Sequence, residues 1–240
     1  MAAAVPLHPA GFWQRSVAWS LDAAMIAPLA AAVAWPFMSA PAQALPSQTT
    51  ALLQTAGQAI ADAIVDVVPV PQLAAALLHN PALHEASVDL QSTLWSATWP
   101  LLLAFALLSG AYHVACESSR RQATPGQRLL GLRVVDPTGH ALTPGRALAR
   151  HLAGSLSWAT LNIGHLMATI EPQRLALHDR LSATRVVKSG PMATGDTDAG
   201  LPIWARTWLG ALGIGALTLT VWGVTSAMTV MRIALEQALF

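Results

Sequence analysis

Residues 17–37 read VAWSLDAAMIAPLAAAVAWPF, an apolar run whose single charge is Asp22, with Trp19 and Trp35 near its two ends. About 20 predominantly apolar residues cross a hydrocarbon core, and tryptophan rings settle at headgroup depth. The stretch therefore predicts a membrane-spanning helix. A buried acid in its middle sets the problem for everything that follows.

The rest of the chain has the same character. Its 240 residues are 54% hydrophobic and 10% charged, with a mean hydropathy of +0.48, whereas soluble domains carry about 25% charged residues. Two further spans are expected, Leu94–Ala115 and Thr207–Val230. Trp95 and Trp99 mark one end of the second, Tyr112 and His113 the other, and Trp204 and Trp208 open the third. Small residues at Ala211, Gly215, Gly223 and Ala227 suggest close helix packing within the chain.

Basic residues orient the spans. No Lys or Arg occurs between Arg15 and Arg120, and residues 40–93 hold Asp62, Asp66, Glu85 and Asp89. That loop is expected on the outer face. Residues 117–150 carry Arg120, Arg121, Arg128, Arg133, Arg146 and Arg150, which places them and the N-terminus in the cytoplasm. A fourth stretch, His151–Ile170, contains His151, Asn162 and His165. A full crossing there would put Arg174, Arg180, Arg185, Lys188 and Arg206 outside, so a shallow hairpin turning near Asn162 and Gly164 is favoured. The C-terminus is then outside. Ala42-Gln43-Ala44 has the form of a signal-cleavage site, but Asp22 lies inside the apolar run and the first helix is expected to be kept.

Short elements fill the connections. Thr49–Val68 has helical apolar spacing, Pro69 and Pro71 break it, and a second helix ends at Asn80-Pro81. Leu129–Val135 and Ser182–Val187 have strand character, with a turn at residues 136–139 and Thr143-Pro144 opening a helix. The expected fold is an all-α membrane protein. It has three transmembrane helices, a re-entrant or interfacial cytoplasmic helical hairpin flanked by short β-strands, and short helices in an outer loop.

Several chemistries are excluded by what is missing. Thirteen Lys and Arg make no basic footprint for nucleic acid, and the single Cys116 forms neither an intrachain disulfide nor a cysteine metal cage. The eight histidines lack zinc spacing, and Gly126–Gly131 runs into Leu132-Arg133 instead of the Lys and hydroxyl of a phosphate loop. No nucleophile–base pair stands out. The reading is a non-enzyme without metal or cofactor.

Asp22 is the leading site residue, because an ionised acid in a span costs about 2.5–3.5 kcal/mol even on insertion scales. Arg15 lies seven residues earlier, two turns away on nearly the same face. Two roles stay open for Asp22: a cation or proton site, or a tether to an arginine of the cytoplasmic segment. His178-Asp179-Arg180 forms a second cluster. Asp179 either caps a turn or pairs with Arg15 or Arg150, or it joins Asp22 as a second acidic ligand.

Three ordered motifs resemble the RDD family of membrane proteins, named for one arginine and two aspartates. They are residues 11–15 (GFWQR) with Leu21-Asp22, residues 124–136 (TPGQRLLGLRVVD) and residues 177–187 (LHDRLSATRVV). The resemblance assigns Arg15, Asp22 and Asp179 to the three name-giving places; Arg150, His178 and Arg180 are the supporting candidates from the charge pattern. It implies an RDD domain over residues 11–187 with 40–93 as an inserted periplasmic loop, a linker at 188–203 and an additional transmembrane helix at 204–240. It further implies a multi-pass protein of the bacterial inner membrane. For function it implies transport of a monovalent cation or proton, of the sodium/proton exchange type. The alternative is a non-catalytic scaffold or accessory subunit. Three spans are few for a pathway, so a homo-oligomer or another membrane protein is the expected partner, besides the lipid bilayer.

Overall fold

The computed structural model describes residues 8–189 and 200–239, so most of the 188–203 linker lies outside the described residues. The elements are α1 (Phe12–Val65), α2 (Val70–Leu78), α3 (Pro81–Glu117), α4 (Pro125–Leu129), β1 (Leu132–Val135), α5 (Pro144–Ala159) and α6 (Ile163–Leu166). A 3₁₀ turn at Met167–Thr169, α7 (Leu177–Leu181), β2 (Arg185–Lys188) and α8 (Ile203–Leu239) complete the chain. Three of these, α1, α3 and α8, are long and apolar enough to cross a membrane.

The helices extend well beyond the spans read from hydropathy. α1 is a single helix of 54 residues, more than twice what a hydrocarbon core requires. It passes through Pro28, Pro36, Pro41 and Pro46. Each proline removes one backbone bond and costs about 3 kcal/mol in a helix interior, but the intervening sequence is rich in alanine, the strongest helix former. The expectation of several short helices in an outer loop at 40–93 is corrected accordingly. Thr49–Val65 is the end of α1, residues 81–93 are the beginning of α3, and α2 alone is a separate short helix. Val67, at a φ of 56°, ends α1, and the Asn80 side chain accepts from the Leu83 amide at 3.1 Å to open α3.

The chain divides into two compact units. One contains Ala32–Leu103 together with the chain from Gly210 onward. Within it α1 meets α8 at a close approach, where a Cβ on Gly57 would lie 2.7 Å from the Ala234 Cβ. Small side chains permit such contact between apolar helices. The glycines expected to pack closely do not: among the described residues nothing lies within 4 Å of a Cβ built on Gly215 or Gly223.

The other unit contains the chain up to Ala31 and Ala104–Leu209. β1 and β2 pair antiparallel, with Leu132 opposite Lys188 and Val134 opposite Val186. The chain before α1 lies along β2, with the Ala10 amide donating to the Val186 carbonyl and the Lys188 amide to the His8 carbonyl, both at 2.9 Å. Leu132, Val134 and Val186 then pack with Ala10, Ala18, Leu142 and Ala147 into a buried cluster. Between the strands, Thr143 caps α5 by accepting from the Arg146 amide at 3.3 Å. Leu161 and Asn162 reverse the chain after α5 at φ values of 50° and 65°. Gly164 seals the turn, since a Cβ there would lie 2.9 Å from the Leu177 Cβ and press on Ser157.

Candidate functional site

α1 carries both Arg15 and Asp22, but the two side chains go to different partners. The Arg15 guanidinium pairs with Asp179. It also donates to the Arg174 carbonyl at 2.7 Å and the Ala10 carbonyl at 3.2 Å. Asp179, with its side chain fully buried, is the hub of the cluster. It sits at the third position of α7 and accepts from the Ala176 amide at 2.9 Å. Its other oxygen takes Arg150 from α5. Burial alone would raise the Asp179 carboxyl, but Arg150 and then Arg15 outweigh it and hold the group well below the usual carboxylate range.

Arg150 extends the cluster. It donates to the Thr184 hydroxyl at 2.8 Å and pairs with Glu117, at the end of α3, at 3.3 Å. Two guanidiniums thus face two carboxylates, and their formal charges cancel. Glu117 accepts in turn from the Gln127 side chain at 3.0 Å. Gln127 and Thr124 cap α4 reciprocally: the Thr124 amide donates to Gln127 Oε1 at 2.9 Å and the Gln127 amide to Thr124 Oγ1 at 3.2 Å.

Asp22 lies at the far end of this chain of contacts and is fully buried. Its donors are the Thr124 hydroxyl at 2.5 Å, the Tyr112 hydroxyl at 2.7 Å and the Gly126 amide at 2.8 Å. Among the described residues no arginine or lysine comes within ion-pair distance of it. Of the two roles left open for Asp22, the arginine tether is not met. Neutral donors hold it instead, Tyr112 from α3 and Thr124 and Gly126 at the start of α4, where the first amides of a helix lack internal partners. Asp22 and Asp179 share no hydrogen-bond donor, so they do not form a common acidic pair. The intervening Thr124, Gln127, Glu117 and Arg150 connect them.

The supporting residues separate as well. Arg150 belongs to the lattice, whereas Arg180 is exposed and takes no part. His178 lies beside it, with Nε2 3.6 Å from Asp179 Oδ1, beyond hydrogen-bonding distance. Burial, reinforced by Arg150, lowers its pKa to about 3, so its imidazole is neutral. Tyr112, Glu117, Thr124, Gln127 and Thr184 are members that charge-pair reasoning missed. The Thr-x-x-Gln spacing of a capping box was the available signal for two of them. Among the described residues no group of three or more His, Cys, Asp or Glu is placed to hold a metal ion.

The family pattern described as "RDD family" matches residues 9–183. The chain belongs to the RDD family. Arg15, Asp22 and Asp179 all fall inside the matched range and inside one compact unit. The chain is also 26% identical over 179 residues to "Uncharacterized protein YxaI" of Bacillus subtilis (strain 168), a match covering 75% of this chain and 97% of that protein. No solved structure matches the chain. RDD membership and three apolar helices together make this a multi-pass membrane protein.

Proposed function

We propose that this RDD protein moves a monovalent cation or proton across the bacterial inner membrane, with Asp22 as the exchanging group. The observation that carries the reading is the wholly buried Asp22 carboxylate, held by two hydroxyls and one amide and by no cation among the described residues. An intramembrane acid without a fixed counter-ion is the kind of group that alternates between a proton and a bound cation. The Tyr112 and Thr124 hydroxyl oxygens can turn their lone pairs toward such a cation. Asp179 plays a different part, because both its oxygens are occupied by guanidiniums.

The reading keeps the N-terminus cytoplasmic and residues 151–170 as an interfacial hairpin. β1 precedes that segment and β2 follows it, and their pairing favours a chain that leaves and returns on one side. Leu152, Leu156, Leu161, Ile163 and Leu166 are exposed along it, an apolar stripe suited to the acyl boundary. Three spans form a small pathway, so the transport reading includes a homo-oligomer or a second membrane protein.

A scaffold or accessory role is the second reading, and the charge-balanced lattice of Arg15, Asp179, Arg150 and Glu117 favours it, since it ties four helices together without needing a ligand. Asp22→Asn separates the two. In reconstituted vesicles the transport reading expects ion-dependent pH change to disappear while the protein stays monodisperse. Undiminished transport with Asn at position 22 removes the exchange site and leaves the scaffold.

A further inference from the structure

On α3, Ser109, His113 and Glu117 recur every four residues, the spacing of one helix face, with Gly110 beside them. α5 lies against that face. Arg150 meets Glu117 at 3.3 Å, and one turn away the His151 ring stacks on His113 with centroids 5.7 Å apart and planes tilted by 29°. Gly110 makes the room, since a Cβ there would lie 3.2 Å from His151 Nε2. Neither imidazole takes part in the charge lattice.

Hydrogen bonding favours one tautomer of His113. Its Nδ1 is 2.8 Å from the Ser109 carbonyl oxygen and 3.2 Å from the Ser109 hydroxyl; the nearer carbonyl only accepts, which places the hydrogen on Nδ1. The neutral ring then has its lone pair on Nε2, for which no hydrogen-bond partner is found among the described residues. We propose that His113 and His151 form one proton-binding couple at the cytoplasmic end of the second span, with His113 Nε2 as the acceptor. This deepens the transport reading and rests on it: the proton is then one of the cations handled.

The couple holds one proton, because two stacked imidazoliums repel. The proton arrives from cytoplasmic water, forms an N–H bond at Nε2, and returns to water when that bond breaks. The groups facing the couple are Tyr112, whose ring centroid lies 5.3 Å from that of His113, with Glu117 one turn along α3 and Arg150 beside His151 on α5. Asp22 stands behind the Tyr112 hydroxyl. Glu117 and Arg150 are already paired, which leaves the imidazoles as the groups free to change charge.

Nitrogen NMR of histidine-labelled full-length protein in lipid nanodiscs tests the couple directly. The expected result is an Nδ1–H tautomer at His113 and a single titration step felt by both rings. In His151→Gln the His113 ring then titrates as an isolated site. A His113 ring that never titrates between about pH 5 and 9, or two independent steps, overturns the proposal. The second measurement is vesicle pH change with His113→Asn, whose amide keeps the donor to Ser109 but has no titrating nitrogen. The expected loss is at least about tenfold, and a wild-type rate also overturns the couple. Absence of any flux in the wild-type protein would instead sink the transport reading, with the NMR result still deciding the couple.

Discussion

The Gly126 amide donates to Asp22 Oδ1 at 2.8 Å across 104 residues of chain. That contact needs glycine for reasons of space. A Cβ on Gly126 would lie 2.9 Å from the Asp22 carboxyl carbon and would press on the Ala18 carbonyl. α4 can therefore approach α1 only with a bare backbone at this position.

Gly126→Ala is expected to lower stability by about 1–3 kcal/mol, the usual range for overpacking a tight contact. Gly145→Ala is the control. Nothing lies within 4 Å of its added Cβ, and alanine favours a helix by up to about 1 kcal/mol. Thermal unfolding in one detergent measures both. Equal melting temperatures for the two variants would show that the approach of α4 to α1 is not tight.

Asp179→Asn leaves two guanidiniums, Arg15 and Arg150, without the carboxylate between them. Breaking a buried pair by removing one partner costs about 3–5 kcal/mol, because the remaining charge is stranded. Arg150→Gln in the same chain removes part of that stranded charge but also releases Glu117, so it should recover some of the loss and not all. A double-mutant cycle measures the recovery. Strict additivity would mean that the pair contributes no coupling.

The lattice also implies an acid limit. His178 is held at about 3 by burial and by Arg150, against about 6.5 in an unfolded chain. The unfolded chain therefore binds the extra proton between those values. Its contribution is complete above about pH 6.5 and declines as pH falls toward 3, at up to about 1.4 kcal/mol per pH unit. Asp179, depressed by its arginines, adds loss only below the ordinary carboxylate range. His178→Phe should flatten the stability profile between about pH 6 and 4 by close to one proton. An unchanged slope would show that His178 titrates alike in both states.

Much of this was legible from side-chain chemistry. Apolar runs locate the three long helices because hydrocarbon demands length and apolarity together. Pairing with Arg15 or Arg150 was one of the roles open for Asp179, since acidic and basic side chains withdrawn from water pair with each other. Asp22 was harder. Its donors are neutral and lie 90 to 104 residues away, at Tyr112 and around Thr124, and a search for opposite charge does not reveal them. The length of α1 was also hidden, because prolines that punctuate helices in water do not interrupt this alanine-rich segment.

The orientation can be read with single cysteines in a Cys116→Ser background. Thr55, near the end of α1, belongs to the segment proposed to face the periplasm. Thr138 and Arg180 lie on either side of residues 151–170, and both are exposed. Thr197, another position after that segment, lies outside the described residues. The β1–β2 pairing brings the chain before α5 next to the chain after α7. Thr138→Cys and Arg180→Cys should therefore share one labelling pattern with a membrane-impermeant thiol reagent, and Thr55→Cys should show the opposite one. Neither substitution touches the charge lattice, so loss of folding does not confound the result. Opposite labelling at positions 138 and 180 would mean that residues 151–170 cross the bilayer completely. The antiparallel pair would then have to be abandoned, because two strands on opposite sides of a 30 Å hydrocarbon core cannot exchange backbone hydrogen bonds.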